Sequence, residues 1–213
     1  HLTKDRSSTV HVYSEQGLGD VIMFARFLPM LKARADKLIF HVQPALAPLF
    51  TTNPHIDRLE AHPYAPTAVG ATDDWLPLLA TPMALGLNRQ DYKFTKPYLS
   101  VPEERHRQWG EWVNALPKGP RIGLVWAGNR AREDDSFRSI FPDVLTTLGA
   151  LETVQWVRLQ MDARPEYLTA PFPFPLHDPT AMIRDMADTA AIIENLDMVI
   201  SIDTGVAHLA SAF

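Results

Sequence analysis

The sequence predicts an α/β protein built from parallel sheets in two halves, joined near residue 118. Three observations carry that reading. Short apolar, β-branched runs alternate with helical patterns, and strands that alternate with helices imply parallel sheets. The pattern breaks at the segment "LPKGP" (116–120) and restarts behind it. Three loops rich in glycine or charge, at 15–20, 127–139 and 203–205, fall at the carboxyl ends of predicted strands. Open parallel sheets bind ligands at those ends.

The elements follow in chain order. "TVHVYS" (9–14) alternates and is β-branched, so it reads as a strand. Residues 19–34 place Val21, Met23, Phe24, Phe27, Leu28 and Leu31 mainly on one helical face, with Pro29 expected to bend the helix. "KLIFHV" (37–42) is a second strand and completes a βαβ unit. "PALAPLF" (44–50) is a short helix, "IDRLEA" (56–61) a third strand, and residues 75–87 a strand-like piece followed by a short helix. Residues 102–116 read as a helix, with acids in the first turn and Trp109, Trp112 and Val113 on its buried face. Behind the linker come a strand (121–127), a helix (141–151), a strand (154–160), a helix (188–196) and a strand (198–203). A final apolar helix starts at Thr204 and has no stop signal, which predicts that the second half is truncated. The expected domains are therefore 1–117 and 118–213.

Composition excludes several classes. The 213 residues are 46% hydrophobic and 21% charged, an ordinary globular balance. A net charge of −5 gives no general attraction to nucleic acid or anionic membrane. The absence of cysteine removes disulfides and thiolate chemistry. No apolar run approaches the roughly 18–20 residues of a membrane span, and the polar start lacks a signal-peptide core. A soluble chain is expected, with cytoplasm as the default. Eighteen prolines against ten glycines suggest rigid connectors, and the "PFPFP" run and the tryptophans read as packing. No D-x-D pair and no close histidine pair occurs, so no metal is expected, and "TDDW" and "EDDS" read as solvated loops.

The motifs "EQGLGDVIMFARFLPML", "IGLVWAGNRAREDDSFRSI" and "DTAAIIENLDMVISIDTGVAHLA" stand in that order. Together they resemble bacterial glycosyltransferases related to the ADP-heptose:lipopolysaccharide heptosyltransferases, in the branch associated with tetratricopeptide repeats. The resemblance runs from about Val12 to the end. It implies a GT-B-like fold, two Rossmann-like domains facing across a cleft. It also implies a nucleotide-sugar donor, no separate cofactor, and a saccharide, lipid-linked saccharide or protein acceptor.

Each candidate residue has a plainer reading. Asp20, in the first helical turn, suits the macrodipole, and from spacing alone that role is favoured. The resemblance instead makes Asp20 the catalytic base, because the family places its aspartate in a matching Gly-Asp. Glu15, Gly17 and Gly19 then form the acceptor-side loop; their plainer roles are a solvated strand end and a tight turn. A dinucleotide site is disfavoured, since Ile22 stands where G-x-G-x-x-G needs its third glycine. Arg130, Arg132 and Arg138 suit phosphate oxygens, although Glu133, Asp134 and Asp135 nearly balance them in a solvated loop. The resemblance selects Asn129, Arg138 and Ser139 for the donor, and adds Asp203, Thr204, Gly205 and His208 from "SIDTGVAH". Strand, turn and helix there leave backbone N–H groups free for an anion. Otherwise Asp203 is an N-cap and His208 a core residue. Asp188 and Thr189 are expected to be structural. The resemblance implies an inverting, metal-independent transfer. A non-catalytic nucleotide-sugar-binding module and a nucleotide-sugar epimerase of the same fold stand as alternatives.

Overall fold

The structure is a computed structural model and describes residues 7–62, 73–92, 97–129, 135 and 137–213. It divides into two compact units. The first comprises His1–Pro102, Asp185–Ala187 and Ser211–Phe213; the second comprises Glu103–Arg184 and Asp188–Ala210. Among the described residues no helix is long and apolar enough to cross a membrane.

In the first unit the strands are β1 (Ser7–Tyr13), β2 (Ala35–Val42), β3 (Arg58–Ala61) and β4 (Asp74–Pro77). They form one parallel sheet in the order β3-β2-β1-β4. That order opens the doubly wound arrangement, and the direction of winding reverses between β1 and β4. Val10 and Val12 of β1 and Leu38, Phe40 and Val42 of β2 are fully buried. Each such side chain contributes about 1.5–3 kcal/mol of apolar burial. Ring against ring, Phe40 meets Phe50 edge-on at 5.1 Å. The predicted helix over 19–34 is broken in two. It runs as α1 (Leu18–Phe24), a 3-10 turn (Ala25–Phe27) and α2 (Leu28–Lys32). Pro29 sits in the first turn of α2, where its missing N–H costs nothing. Two further short helices, α3 (Ala47–Phe50) and α4 (Thr81–Ala84), complete the unit.

The second unit has β5 (Arg121–Val125), β6 (Gln155–Arg158) and β7 (Met198–Ser201), parallel in the order β6-β5-β7. Its helices are α5 (Glu103–Asn114), α6 (Pro165–Thr169), α7 (Met186–Glu194) and α8 (Gly205–Ala210). Leu124, Trp126, Ala127, Ala163 and Tyr167 form a buried cluster against which Phe172 and Phe174 pack. Trp126 is thus core; in the "PFPFP" run Phe172 and Phe174 are partly buried and the prolines exposed, and Trp75, also expected to pack, is exposed. The turn before β5 requires glycine at 119, where φ is +145° and a Cβ would lie 2.0 Å from the Thr153 carbonyl oxygen.

Three expectations are corrected. The division falls at Pro102, so "LPKGP" lies inside the second unit. The reason is α5, whose buried face of Trp109, Gly110 and Val113 packs with α7. Trp109 Nε1 donates to Asp188 Oδ1 at 2.9 Å, and Asn195 Nδ2 of the turn after α7 donates to the His106 carbonyl at 3.3 Å. Trp112 is only half-buried. The predicted helix over 141–151 is a 3-10 helix, Pro142–Ala150. Val144, Thr146, Thr147 and Gly149 are all poor α-helix formers. Asp188 and Thr189, expected to be structural, lie inside α7 and are buried.

Candidate functional site

The carboxyl end of β1 leads into α1 through Ser14–Gly17. Gln16 makes the reversal with φ of 64°, a left-handed conformation that a non-glycine residue adopts at a cost. Gly17, expected to supply the tight turn, has φ of −76° and is the N-cap. Its function is spatial: a Cβ there would sit 3.2 Å from Asp20 Oδ2. Through that space the Gly17 N–H donates to Asp20 Oδ2 at 3.1 Å. Asp20 therefore caps its own helix, as the plainer reading of the sequence has it. The bond uses one carboxylate oxygen, and Oδ1 has no partner among the described residues. Glu15, Gly19 and Asp20 are half-buried, and Gly17 is exposed.

In the second unit the winding reverses between β5 and β7, and the loops after those strands meet. Arg138 Nη1 donates to the Asp203 carbonyl at 3.2 Å. Ser139 Oγ accepts from the Gly128 N–H at 2.9 Å, and the Ser139 N–H donates to the Asp135 carbonyl at 2.9 Å. Thr204 Oγ1 lies 3.1 Å from Ser201 Oγ. His208 Nε2 stands 3.7 Å from Asp203 Oδ1. The Asp203 side chain is 80% exposed and stands two residues before α8. α8 opens at Gly205, and Thr204 precedes it. With only six residues in α8, the helix offers a small dipole, and among the described residues of this loop pair the guanidinium is that of Arg138. Asn129 is exposed. Arg130, Arg132, Glu133 and Asp134 lie outside the described residues. The structure thus brings Arg138, Ser139, Asp203, Thr204 and His208 to one strand-end site.

The loop also holds a residue that the sequence misplaces. Asp135 reads as part of a solvated acidic run, yet its side chain is fully buried beside Arg138 and Gly128. Glycine at 128 and arginine three residues behind the aspartate were the available signals.

A second cluster crosses the first sheet. His11 Nδ1 lies 2.9 Å from His41 Nε2, and His41 Nδ1 lies 2.7 Å from His62 Nε2. Beyond them His11 Nε2 stands 3.4 Å from Asp73 Oδ2. These histidines are far apart in sequence and meet because β1, β2 and β3 are neighbours. Asp73 of "TDDW" is accordingly half-buried against His11 rather than a solvated loop residue. One arrangement that pairs a donor with an acceptor at every contact has a proton on the Nε2 of each imidazole. Burial, then His62 and His11, lower the His41 pKa to about 4, with Arg58 adding and Glu60 opposing. The rings meet end to end, and among the described residues no group of three metal-ligating side chains could hold an ion.

Two parallel sheets, each with candidate loops at the carboxyl ends beside a reversal of winding, define an open, doubly wound type of α/β protein. No family model matches the chain. Its fold is similar to that of a glycosyl transferase family 9 protein from Veillonella parvula, with a TM-score of 0.71 and 16% identity, over 99% of this chain and 80% of that one. It is similar too to E. coli ADP-heptose LPS heptosyltransferase II, at 0.59 and 14%, over 96% and 82% of the two chains. E. coli heptosyltransferase WaaC, solved with ADP-2-deoxy-2-fluoro heptose, gives 0.56 and 13%, over 96% and 85%. Among curated proteins, Protein FlbA of Caulobacter vibrioides is 28% identical over 242 aligned positions. That match takes in 97% of this chain but 38% of FlbA, so the chain spans less than half of the curated relative.

Proposed function

We propose that the chain is part of a glycosyltransferase that moves a sugar from a nucleoside-diphosphate donor to an acceptor hydroxyl. The observation that carries the reading is Arg138, a guanidinium spanning the loops after β5 and β7 where such sheets bind ligands. The likeness in fold to sugar-transferring enzymes, one of them solved with an ADP-sugar analogue, supports the same reading.

In this mechanism the donor diphosphate lies against Arg138, with Ser139, Thr204 and the start of α8 beside it, and Asn129, Gly205 and His208 completing the donor contacts. Asp20 Oδ1 takes the proton of the acceptor hydroxyl, whose oxygen bonds to the anomeric carbon. The bond from that carbon to the diphosphate oxygen breaks, and configuration inverts. Charge gathers on the departing diphosphate, where a fixed guanidinium stabilises it without a metal. The capping bond helps rather than hinders, because it orients the carboxylate while leaving one oxygen open. Glu15 and the turn at Gly17–Gly19 frame the acceptor side. A saccharide, lipid-linked saccharide or protein acceptor, a cytoplasmic setting and association with tetratricopeptide repeats complete the proposal.

The test is Asp20→Asn, which keeps an oxygen to accept from Gly17 and removes the base. Transfer from ADP-, GDP- or UDP-sugars should fall about 10²- to 10⁴-fold with nucleoside-diphosphate affinity unchanged. Equal turnover removes Asp20 from the mechanism. Binding without transfer by the unaltered protein favours the non-catalytic module, and failure to bind any nucleoside diphosphate ends the reading.

A further inference from the structure

Arg138 is held by a residue that the mechanism above does not use. Among the described residues neither carboxylate oxygen of Asp135 has a hydrogen-bond donor, and the side chain has no exposed surface. A buried carboxylate is unfavourable unless an opposite charge offsets it. That charge is the Arg138 guanidinium, whose Nε stands 3.6 Å from Asp135 Oδ1. The distance is too long for a hydrogen bond, and Nε makes none, so the attraction is Coulombic and strengthened by the exclusion of water. At its other end the guanidinium donates from Nη1 to the Asp203 carbonyl. Gly128 closes the remaining side. A Cβ at that position would lie 2.1 Å from Asp135 Oδ1, 2.9 Å from Arg138 Nε and 3.0 Å from Nη2. The absence of a side chain at Gly128 is what lets the pair lie against the backbone.

We propose that Asp135 is the positioning residue for Arg138, fixing the guanidinium between the loops after β5 and β7 so that it meets a diphosphate already oriented. This rests on the donor reading above. An aspartate kept for the loop's own stability would accept hydrogen bonds from backbone amides, as Asp57 does from the Leu38 N–H of β2 at 2.6 Å. Among the described residues Asp135 accepts none, and its one charged contact is Arg138. Bidentate phosphate recognition depends on the orientation of the guanidinium plane, which is what such a contact fixes. Against this, a carboxylate close to an anion site repels the anion. The inference is that ordering outweighs repulsion, and the sign of the Asp135→Asn effect measures which is larger.

The experiment is calorimetric titration with ADP, GDP and UDP and with the matching monophosphates, for the unaltered protein, Asp135→Asn and Gly128→Ala. Gly128→Ala displaces the same pair without altering any charge. Each variant should weaken the best-bound diphosphate about three- to tenfold, the loss expected when one arginine must be ordered on binding, and leave the monophosphate unchanged. Equal or tighter diphosphate binding by Asp135→Asn overturns the inference, as does an equal loss for both kinds of nucleotide. A ligand-free measurement runs beside it. The Arg138 Nε–H NMR signal, assigned by its loss in Arg138→Lys, should exchange faster with solvent in Asp135→Asn. An unchanged signal overturns the positioning role whatever the nucleotides do. If the unaltered protein binds no nucleotide while that signal responds, the donor reading fails and the hold on Arg138 stands.

Discussion

Acid should loosen the first unit before it affects the second, through His41. The side chain is 4% exposed and lies between His11 and His62. Protonating it puts an N–H on Nδ1, facing the Nε2–H of His62. Two donors then oppose each other at 2.7 Å unless His62 changes tautomer. Burial, then repulsion from His62 and His11, holds the His41 pKa at about 4 against an ordinary 6.5. The folded-state value is the lower one, so between these two pH values the unfolded chain binds more protons than the folded one. Stability contributed by neutral His41 is therefore complete above about pH 6.5 and is lost as the pH falls towards 4. At 1.36 kcal/mol per pKa unit the difference amounts to about 3 kcal/mol, a large fraction of a domain's stability.

Hydrogen exchange followed by mass spectrometry between pH 7 and 4, corrected for intrinsic rates, reads the two units separately. Peptides from β1 and β2 should lose protection over this interval while those from β5 and β7 hold theirs. His41→Gln, which cannot titrate, should flatten the profile of the first unit. An NMR titration of His41 gives the folded-state pKa directly. A midpoint at or above 6.5, or uniform loss of protection in both units, refutes the argument.

Other perturbations have definite directions. Asp188→Asn should destabilise the second unit by about 3 kcal/mol in urea unfolding, because it leaves Arg105 and Arg184 without their buried counter-charge. Burial raises the Asp188 pKa, but the hydrogen bonds from Arg184 and Trp109, with Arg105 beside them, outweigh it and hold the carboxyl well below the usual range. The stability contributed by that lowered pKa is present above about pH 4 and is lost on further acidification, and Asp188→Asn should remove this acid dependence. Gln16→Gly should raise the melting temperature by relieving a left-handed φ of 64°, with a net gain of about 1 kcal/mol after the entropy of the added glycine.

How far the sequence could be read depended on the range of the forces involved. Strand and helix periodicity is local, so β1, β2, β5 and β7 were legible, and Pro29 announced the break between α1 and α2. The unit boundary was not, because α5 looks the same whichever core it joins. Its place is decided by Asp188, which accepts from Trp109 across 79 residues of chain. The glycines of "QGLGD" suggested a left-handed turn, but the strain fell on Gln16, and Gly17 was needed for room beside Asp20. The same limit explains Asp135. In a run of charges each acid looks solvated. Only when the loop after β5 folds back on itself does one of them fall behind Arg138, against Gly128. The histidines are the parallel case in the first sheet, invisible as a group until the order β3-β2-β1 lines up their rings. In both units the residues that sequence patterns single out supply the charges and the loop. Those that hold them in place are recruited by sheet order or by the folding of a loop, so the supporting residues are where a sequence reading of such a fold should be expected to fail.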